Sequence, residues 1–429
     1  MALVKQGKMT RADFMKHKKK CTVQPNAHLQ GKDKYKYGKP EPAFEVFQMK
    51  EAGILFPKYY AIDNIDDFEY TYKHPSYIDL KFNGNLRPHQ QKSIDCIKES
   101  YDSCGGALLC LGCGLGKTVV ANYMISEMKT KTIVLVHKQF LLNQWEERIS
   151  TFLPDARVGK VQGKIRDTQD KDIILVMLQT ASMKDCEELF QGCGQLIVDE
   201  CHHIAARVFC RALFGIHVKY TLGLSATPDR KDGLEYVIHW FLGPTVLTME
   251  NISENNVQVY MKEFDLEYPD EVFNKCGKIS LPAMITNISN MEDRNENIIE
   301  LALELLQDEQ RYILILSERR EQLKSLQKML ESLQQSCGLY IGGMKEKELK
   351  SAETKRIMLS TYAMTSEGFD NPILNTLIFA TPKTNIEQSV GRILRKVHDI
   401  DPIIIDIVDN YSLFKVQGYQ RRYFYRSYR

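Results

Sequence analysis

The sequence predicts an α/β protein built as two lobes with parallel sheets, preceded by a small N-terminal accessory region. Three observations predict it. From about Leu86 onward, short apolar runs rich in β-branched residues alternate with longer amphipathic ones. The alternation lapses between about Glu250 and Asp293, where Asn, Glu and Asp are frequent, and then resumes. At 429 residues the chain also exceeds what one hydrophobic core usually supports. Strand, helix, strand order implies a parallel sheet covered on both faces.

In chain order, residues 1–83 read as a basic arm and accessory region whose aromatic-rich part, Phe44 to Phe82, carries no readable fold. The first lobe, 84–250, is expected to place strands at Ala107 to Leu111, Thr132 to Val136, Asp172 to Met177, Gln195 to Val198 and Tyr220 to Leu224. Helices fit Thr118 to Met128 and Gln139 to Ile149, where apolar residues recur at spacings of three and four. Trp145 follows Leu141 and Leu142 at that spacing and reads as core. Residues 251–295 read as the connection between lobes. The second lobe, 296–410, is expected to hold strands at Tyr312 to Leu316, Leu339 to Ile341, Arg356 to Ser360, Thr376 to Phe379 and Ile403 to Val408, with helices around Asn295 to Leu306 and Glu321 to Leu333. A basic aromatic tail, 411–429, closes the chain.

Composition narrows the function classes. Hydrophobic residues at 43% and charged residues at 26% are ordinary for a globular protein, and no run of about 18 apolar residues could cross a bilayer. Met1 to Lys20 is basic and polar, unlike a secretory signal. The expected location is therefore intracellular, in cytoplasm or nucleus. Eleven cysteines scattered through strands and helices read as reduced small hydrophobes. Cys110 and Cys113 have CxxC spacing, but they fall in a strand and a glycine-rich loop, with no second pair at finger-like distance. Net charge is +2, distributed as +9 over residues 1–40 and +5 over 411–429, leaving −12 between them. Basic ends on an acidic body fit two readings, solvated extensions or contact with a phosphate backbone. In the C-terminal end, Tyr411, Phe414, Tyr419, Tyr423, Phe424, Tyr425 and Tyr428 interleave with arginines, a combination that can stack on bases while holding phosphates.

The chemistry concentrates in three places. The strand ending at Leu111 runs into Gly112-Cys113-Gly114-Leu115-Gly116-Lys117-Thr118 and then a helix. Glycines let backbone NH groups turn toward phosphates, the helix contributes its positive end, Lys117 reaches the outer phosphates and Thr118 holds Mg²⁺. The strict pattern starts with glycine where this chain has Leu111. Asp199 and Glu200 end the strand Gln195 to Val198, at the edge where parallel sheets bind ligands. Asp199 would orient Mg²⁺ and Glu200 would align the attacking water. In the second lobe Gln388, Arg392 and Arg395 fall at i, i+4 and i+7 of a helix, so one face presents two arginines to an anion, the γ-phosphate of ATP.

With those residues in place, the chain resembles the superfamily 2 helicases, whose two lobes are RecA-like. Leu86-Arg87-Pro88-His89-Gln90 resembles the adenine-reading segment, with Gln90 the implied base contact. Val198-Asp199-Glu200-Cys201-His202 is similar to DEAH-type variants, and Gln388-Ser389-Val390-Gly391-Arg392-Ile393-Leu394-Arg395 to the arginine-finger motif. Ser225-Ala226-Thr227 resembles the segment coupling hydrolysis to lobe movement. Thr361 through Glu367-Gly368-Phe369-Asp370 resembles the one joining ATP to the nucleic acid. The segment Gly223 to Gly233 looks closest to XPB-type helicases and their relatives in large DNA viruses, including transcript-release helicases of poxviruses. Where XPB proteins have Arg-Glu-Asp, this chain has Arg230, Lys231 and Asp232.

The resemblance implies an ATP- and Mg²⁺-dependent DNA helicase or translocase of 3′ to 5′ polarity, acting in transcription or repair. It also implies a strand held through its backbone near Thr180, Thr361 and His137 to Gln139. RNA and a DNA–RNA hybrid are the alternative substrates, RNA polymerase or another transcription protein the expected partner, and the virion a further location for a viral protein. The competing reading is an ATP-gated clamp that closes on nucleic acid without processive unwinding.

Overall fold

The computed structural model describes residues 1–25, 42–112, 114–183, 186–203, 207–226, 233–249, 257–366, 369, 371–384, 386–391, 393 and 398–426. For His203, Phe209, Ser366, Glu387 and Gln388 only the backbone is described. The chain divides into two compact units, Met1–Glu250 and Asn251–Arg429.

The first unit opens with β1 (Ala2–Lys5), α1 (Arg11–Lys20), β2 (Thr22–Val23), β3 (Phe44–Glu45), β4 (Gln48–Lys50), β5 (Gly53–Phe56), α2 (Lys58–Asn64) and β6 (Glu69–Tyr70). β1 pairs antiparallel with both β5 and β6, and β4 completes a four-stranded sheet in the order β4-β5-β1-β6. Phe47, Phe56 and Tyr60 form its small core with Val4 and Cys21, which accounts for the aromatic richness of this region.

The larger part of the unit holds α3 (Pro88–Ser103), β7 (Gly106–Leu111), α4 (Lys117–Met128), β8 (Thr132–Val136), α5 (Gln139–Phe152), β9 (Val158–Gln162), β10 (Ile165–Arg166), β11 (Ile173–Met177) and α6 (Leu178–Ala181). It continues through β12 (Gln195–Val198), α7 (Arg207–Phe214), β13 (Tyr220–Ser225), α8 (Glu235–Leu242) and β14 (Thr245–Met249). These strands form one sheet, β10-β9-β11-β8-β12-β13-β7-β14, parallel except for the β9–β10 pair. Alternate residues of β7 serve opposite faces: Leu108 and Cys110 join one core, Ala107, Leu109 and Leu111 the other. Burial on both faces is why these strands read as continuous apolar runs. Every loop leaving a parallel strand emerges at the same carboxyl edge, so the glycine-rich loop after β7 and the carboxylates after β12 share that edge.

The second unit contains β15 (Gln258–Lys262), α9 (Leu281–Ser289), α10 (Glu292–Leu306), β16 (Ile313–Ser317), α11 (Arg320–Ser332), β17 (Cys337–Tyr340), α12 (Glu346–Glu353) and β18 (Ile357–Thr361). Then come α13 (Tyr362–Ser366), β19 (Thr376–Phe379), α14 (Glu387–Val390), β20 (Ile403–Ile407) and α15 (Leu413–Tyr425). Its six strands are all parallel, in the order β15-β20-β19-β16-β18-β17. The stretch read as a connection is thus largely part of this unit: β15 adds an edge strand to β20, and α9 packs Met284, Ile285 and Ile288 against Tyr411 and Phe414. β15 was hard to see because an edge strand is half-solvated, and its five residues alternate between exposed and half-buried. Two ion pairs lie wholly inside the unit. Arg294 joins Asp409 at 2.7 Å, and Arg421 joins Asp406 at 2.8 Å. Arg421 is therefore an internal anchor, not a residue of a solvated tail.

Candidate active site

At the end of β7 the backbone turns sharply. Gly114 and Gly116 have φ of +86° and +82°, the left-handed region that favours glycine. A Cβ on Gly116 would also stand 2.3 Å from Gln90 Nε2. Leu111, at the position of the expected first glycine, is fully buried in the core, and its carbonyl accepts a hydrogen bond from Lys117 Nζ at 3.0 Å. The loop is so folded that the lysine curls back across it. Gly112 N–H donates to Met249 O at 2.9 Å, tying the loop to β14. Lys117 and Thr118 open α4 and are half-buried; Cys113 lies outside the described residues.

Gln90 sits in the first turn of α3 and is buried. Its Oε1 accepts from Arg87 N–H at 2.9 Å, and its Nε2 donates to Leu115 O at 3.3 Å. His89 Nε2 also lies 3.0 Å from Leu115 O. The segment preceding the loop therefore grips the loop's backbone directly.

The two carboxylates follow β12. Asp199 N–H continues the pairing with β8 by donating to Leu135 O at 3.1 Å. Its side chain is held twice: Trp145 Nε1–H donates to Oδ2 at 2.8 Å and Glu200 N–H to Oδ1 at 3.0 Å. Burial pushes the Asp199 carboxyl above the usual carboxylate range and the neighbouring Glu200 charge adds to this, while Trp145 and the Lys117 ammonium act in the opposite direction. Lys117 therefore lies within electrostatic reach of Asp199. Glu200 has φ of +51°, a strained position for a non-glycine residue. Among the described residues its buried Oε2 has no hydrogen-bond partner, and His202 Nδ1 is 3.5 Å away, beyond a good hydrogen bond. His202 Nδ1 lies 3.3 Å from Ser225 Oγ at the end of β13, so the strand after the acidic pair's own is in contact with it.

The glycine cradle, Lys117 and the two carboxylates at one sheet edge are the kinds of group that hold a nucleotide triphosphate and its Mg²⁺. Thr118 and Asp199 are the groups suited to the metal. Among the described residues no cluster of three His, Cys, Asp or Glu side chains could hold a metal by itself.

The other expected residues are placed as follows. Thr180, on α6, is buried and accepts a hydrogen bond from Gly163 N–H at 3.0 Å. Thr361 ends β18 and is buried. Ala226 is half-buried beyond β13. Thr227, Arg230, Lys231, Asp232, Glu367, Gly368, Asp370, Arg392 and Arg395 lie outside the described residues, and Gln388 has only its backbone on α14 described. The residue that sequence reasoning placed only in the core is Trp145. Its helical spacing signalled burial, but which group its indole N–H meets depends on the pairing of α5 with the end of β12.

The family described as type III restriction enzyme, res subunit, matches residues 83–230, a span that takes in Gln90, the loop, both carboxylates and Ser225. A protein of Acanthamoeba polyphaga mimivirus that carries the name of an ATP-dependent RNA helicase is 37% identical over 412 residues, covering 91% of this chain and 78% of that one. The chain belongs to the superfamily 2 helicases of large DNA viruses. It is an ATP-dependent helicase by family, with the two RecA-like lobes of that class. A similarly named protein of African swine fever virus (strain Badajoz 1971 Vero-adapted) is 29% identical, covering 79% of this helicase and 72% of its own length. A protein named as a helicase in Invertebrate iridescent virus 6 is 27% identical, covering 78% and 79%. A looser likeness, 17% identity at a TM-score of 0.40, links 80% of the chain to 92% of the SWI2/SNF2 ATPase core of Sulfolobus solfataricus solved with dsDNA. Among the described residues no helix is long and apolar enough to cross a membrane.

Proposed function

We propose that the carboxyl edge of the first sheet binds Mg·ATP and that its hydrolysis drives the helicase along DNA, in transcription, with transcript release as one such role, or in repair. The observation that carries this reading is Glu200: a carboxylate in a strained backbone position, with one buried oxygen that no described residue hydrogen-bonds, beside an Asp199 that two donors hold still. A free acceptor on a fixed backbone suits a group that must take up and orient a water molecule. Lys117 binds the outer phosphates, and Thr118 with Asp199 holds Mg²⁺, which when bound supplies a Lewis acid for the phosphate charge. Gln90 senses the nucleotide through the loop backbone it grips as well as through the base. Gln388, Arg392 and Arg395 are assigned to the terminal phosphate on their sequence spacing, and Ser225 with Ala226 and Thr227 to relaying its loss. Thr180, Thr361, Glu367, Gly368 and Asp370 are assigned to the nucleic-acid strand.

RNA is the second substrate to weigh, because the mimivirus and swine fever virus relatives carry the name of RNA helicases. The deciding experiment is ATPase rate against single-stranded DNA, duplex DNA and RNA, run beside strand displacement. The expected result is stimulation by DNA, with Lys117→Ala and Glu200→Gln each lowering kcat by about 100-fold or more. Unchanged hydrolysis in Glu200→Gln overturns the catalytic assignment. Strong ATPase with neither displacement nor translocation turns the reading into a clamp.

A further inference from the structure

Helix α15 presents two different faces. Phe414, Gly418, Arg421 and Tyr425, at i, i+4, i+7 and i+11, are buried and bind the helix to its own unit. Gly418 allows the close approach, since a Cβ there would stand 2.8 Å from Val408 Cγ1. Arg421 Nε donates to both oxygens of Asp406, at 3.0 and 2.8 Å, and Nη1 donates to Lys383 O at 3.2 Å. The buried pair sets the rotation of the helix about its axis, and with it what the helix shows to solvent.

What it shows is Lys415, Tyr419, Arg422 and Arg426, again at i, i+4, i+7 and i+11, and all exposed. The stripe runs about 16 Å at 1.5 Å per residue. Among the described residues, none of its three cations forms a salt bridge. Tyr423 flanks it, 75% exposed, with the Arg426 guanidinium 5.9 Å from its ring centroid. No acidic residue occurs from 410 to 429. Beside the stripe is a cavity of about 300 Å³ between the helix and the ends of β15 and β20. Met261, Val408 and Gly418 line it together with Tyr419, Lys415 and Arg422 of the stripe. Glu263 and Asn410 supply its other polar groups.

We propose that this face binds single-stranded nucleic acid, with phosphates along Lys415, Arg422 and Arg426 and one base turned into the cavity against Tyr419. Three cations on one stripe, with no acidic partner among the described residues, complement a polyanion. The two exposed tyrosines offer stacking faces that every base can use. The Glu263 carboxylate repels phosphate and accepts from base amino groups, so it fixes the polarity of the arrangement: base inward, phosphate outward. This rests on the nucleic-acid reading above and locates a contact outside the motifs assigned there to the strand.

The test measures fluorescence anisotropy of the full chain with one fluorescein-labelled 20-mer as single-stranded DNA, as RNA of the same sequence, and as duplex DNA, across a salt series. Replacing all three cations with glutamine (Lys415→Gln, Arg422→Gln, Arg426→Gln) is expected to flatten the log–log salt slope by about 2 for single strands, at roughly 0.7 per phosphate contact. Tyr419→Ala is expected to weaken single strands by about 5- to 150-fold, the range of one base–aromatic stack, and to leave duplex affinity within twofold. Basal ATP hydrolysis without nucleic acid and the urea midpoint are expected to stay unchanged in both variants, because every substituted side chain is exposed. Wild-type binding with an unchanged slope and affinity in the triple variant overturns this inference alone and hands the face to a protein partner. Equal loss on duplex and single strands in Tyr419→Ala overturns the base seat. A wild type that hydrolyses ATP but binds none of the three oligonucleotides overturns both this inference and the nucleic-acid reading.

Discussion

Trp145 donates its indole N–H to Asp199 Oδ2 at 2.8 Å, so a buried tryptophan of α5 sets the rotamer of the carboxylate at the end of β12. The oxygen it occupies cannot swing away from the edge without abandoning a buried donor, which costs about 1–3 kcal/mol. Trp145→Phe keeps most of the apolar volume and removes this bond. The half-saturating Mg²⁺ concentration for ATP hydrolysis is expected to rise about tenfold, the equivalent of 1.4 kcal/mol, with maximal rate at saturating Mg²⁺ largely retained. A Mg²⁺ titration identical to wild type would show that Asp199 is positioned without the indole.

Arg294 and Asp409 are both fully buried, and the pair is closed by Arg294 Nη1 donating to Ala380 O and by Tyr268 OH donating to Asp409 Oδ1. Removing either charge alone leaves the other stranded. Arg294→Met or Asp409→Leu is expected to destabilise the second unit by about 3–5 kcal/mol, and the double variant Arg294→Met/Asp409→Leu by clearly less than the sum. A denaturant double-mutant cycle reads the coupling. Additive losses would mean that the pair is not what holds α10 to the end of β20.

Lys58 is buried, with Nζ donating to Lys219 O at 2.8 Å and to Tyr59 OH at 3.2 Å. Desolvation lowers its pKa to about 8, from the 10.5 ordinary for a lysine. Between those two pH values the unfolded chain binds more protons than the folded one, so this group makes stability rise with pH. Wild type is therefore expected to gain on Lys58→Met from pH 8 to 10.5, by at most about 3 kcal/mol. Urea midpoints of the two proteins across that range measure it, and parallel curves would place the ammonium in contact with water.

Gly418→Ala puts a methyl 2.8 Å from Val408 Cγ1 on the buried side of α15. The expected loss is about 1–3 kcal/mol, with a large part restored by adding Val408→Ala. Urea unfolding of the single and double variants tests this; no restoration would trace the loss to the helix backbone rather than the contact.

The strands of both sheets were legible because parallel strands buried on both faces are nearly continuous apolar runs, as in β8 and β16, each buried throughout with four apolar residues in five. The N-terminal sheet was not, because β1 finds its partners about fifty and nearly seventy residues away in strands of two to four residues, too short to display a period. In α15 the sequence showed arginines and aromatics without distinguishing Arg421, locked on Asp406, from Arg422, which faces solvent one residue later. At the site, the loop and the acidic pair were visible from spacing. The grip of His89 and Gln90 on Leu115 and the bond from Trp145 to Asp199 were not, since each joins segments distant in sequence.

In the first sheet β13 lies between β7 and β12, so the phosphate loop and the acidic pair begin two strand spacings apart, about 10 Å. That interval is a ruler graduated by peptide hydrogen bonds. Side chains can be exchanged on either face of the sheet without altering its length. Natural or designed variants can therefore repack this core extensively and still present the two halves of the phosphate site at the same gauge, whereas an insertion that adds a strand between β7 and β12 would widen it by a fixed step that no local substitution could close.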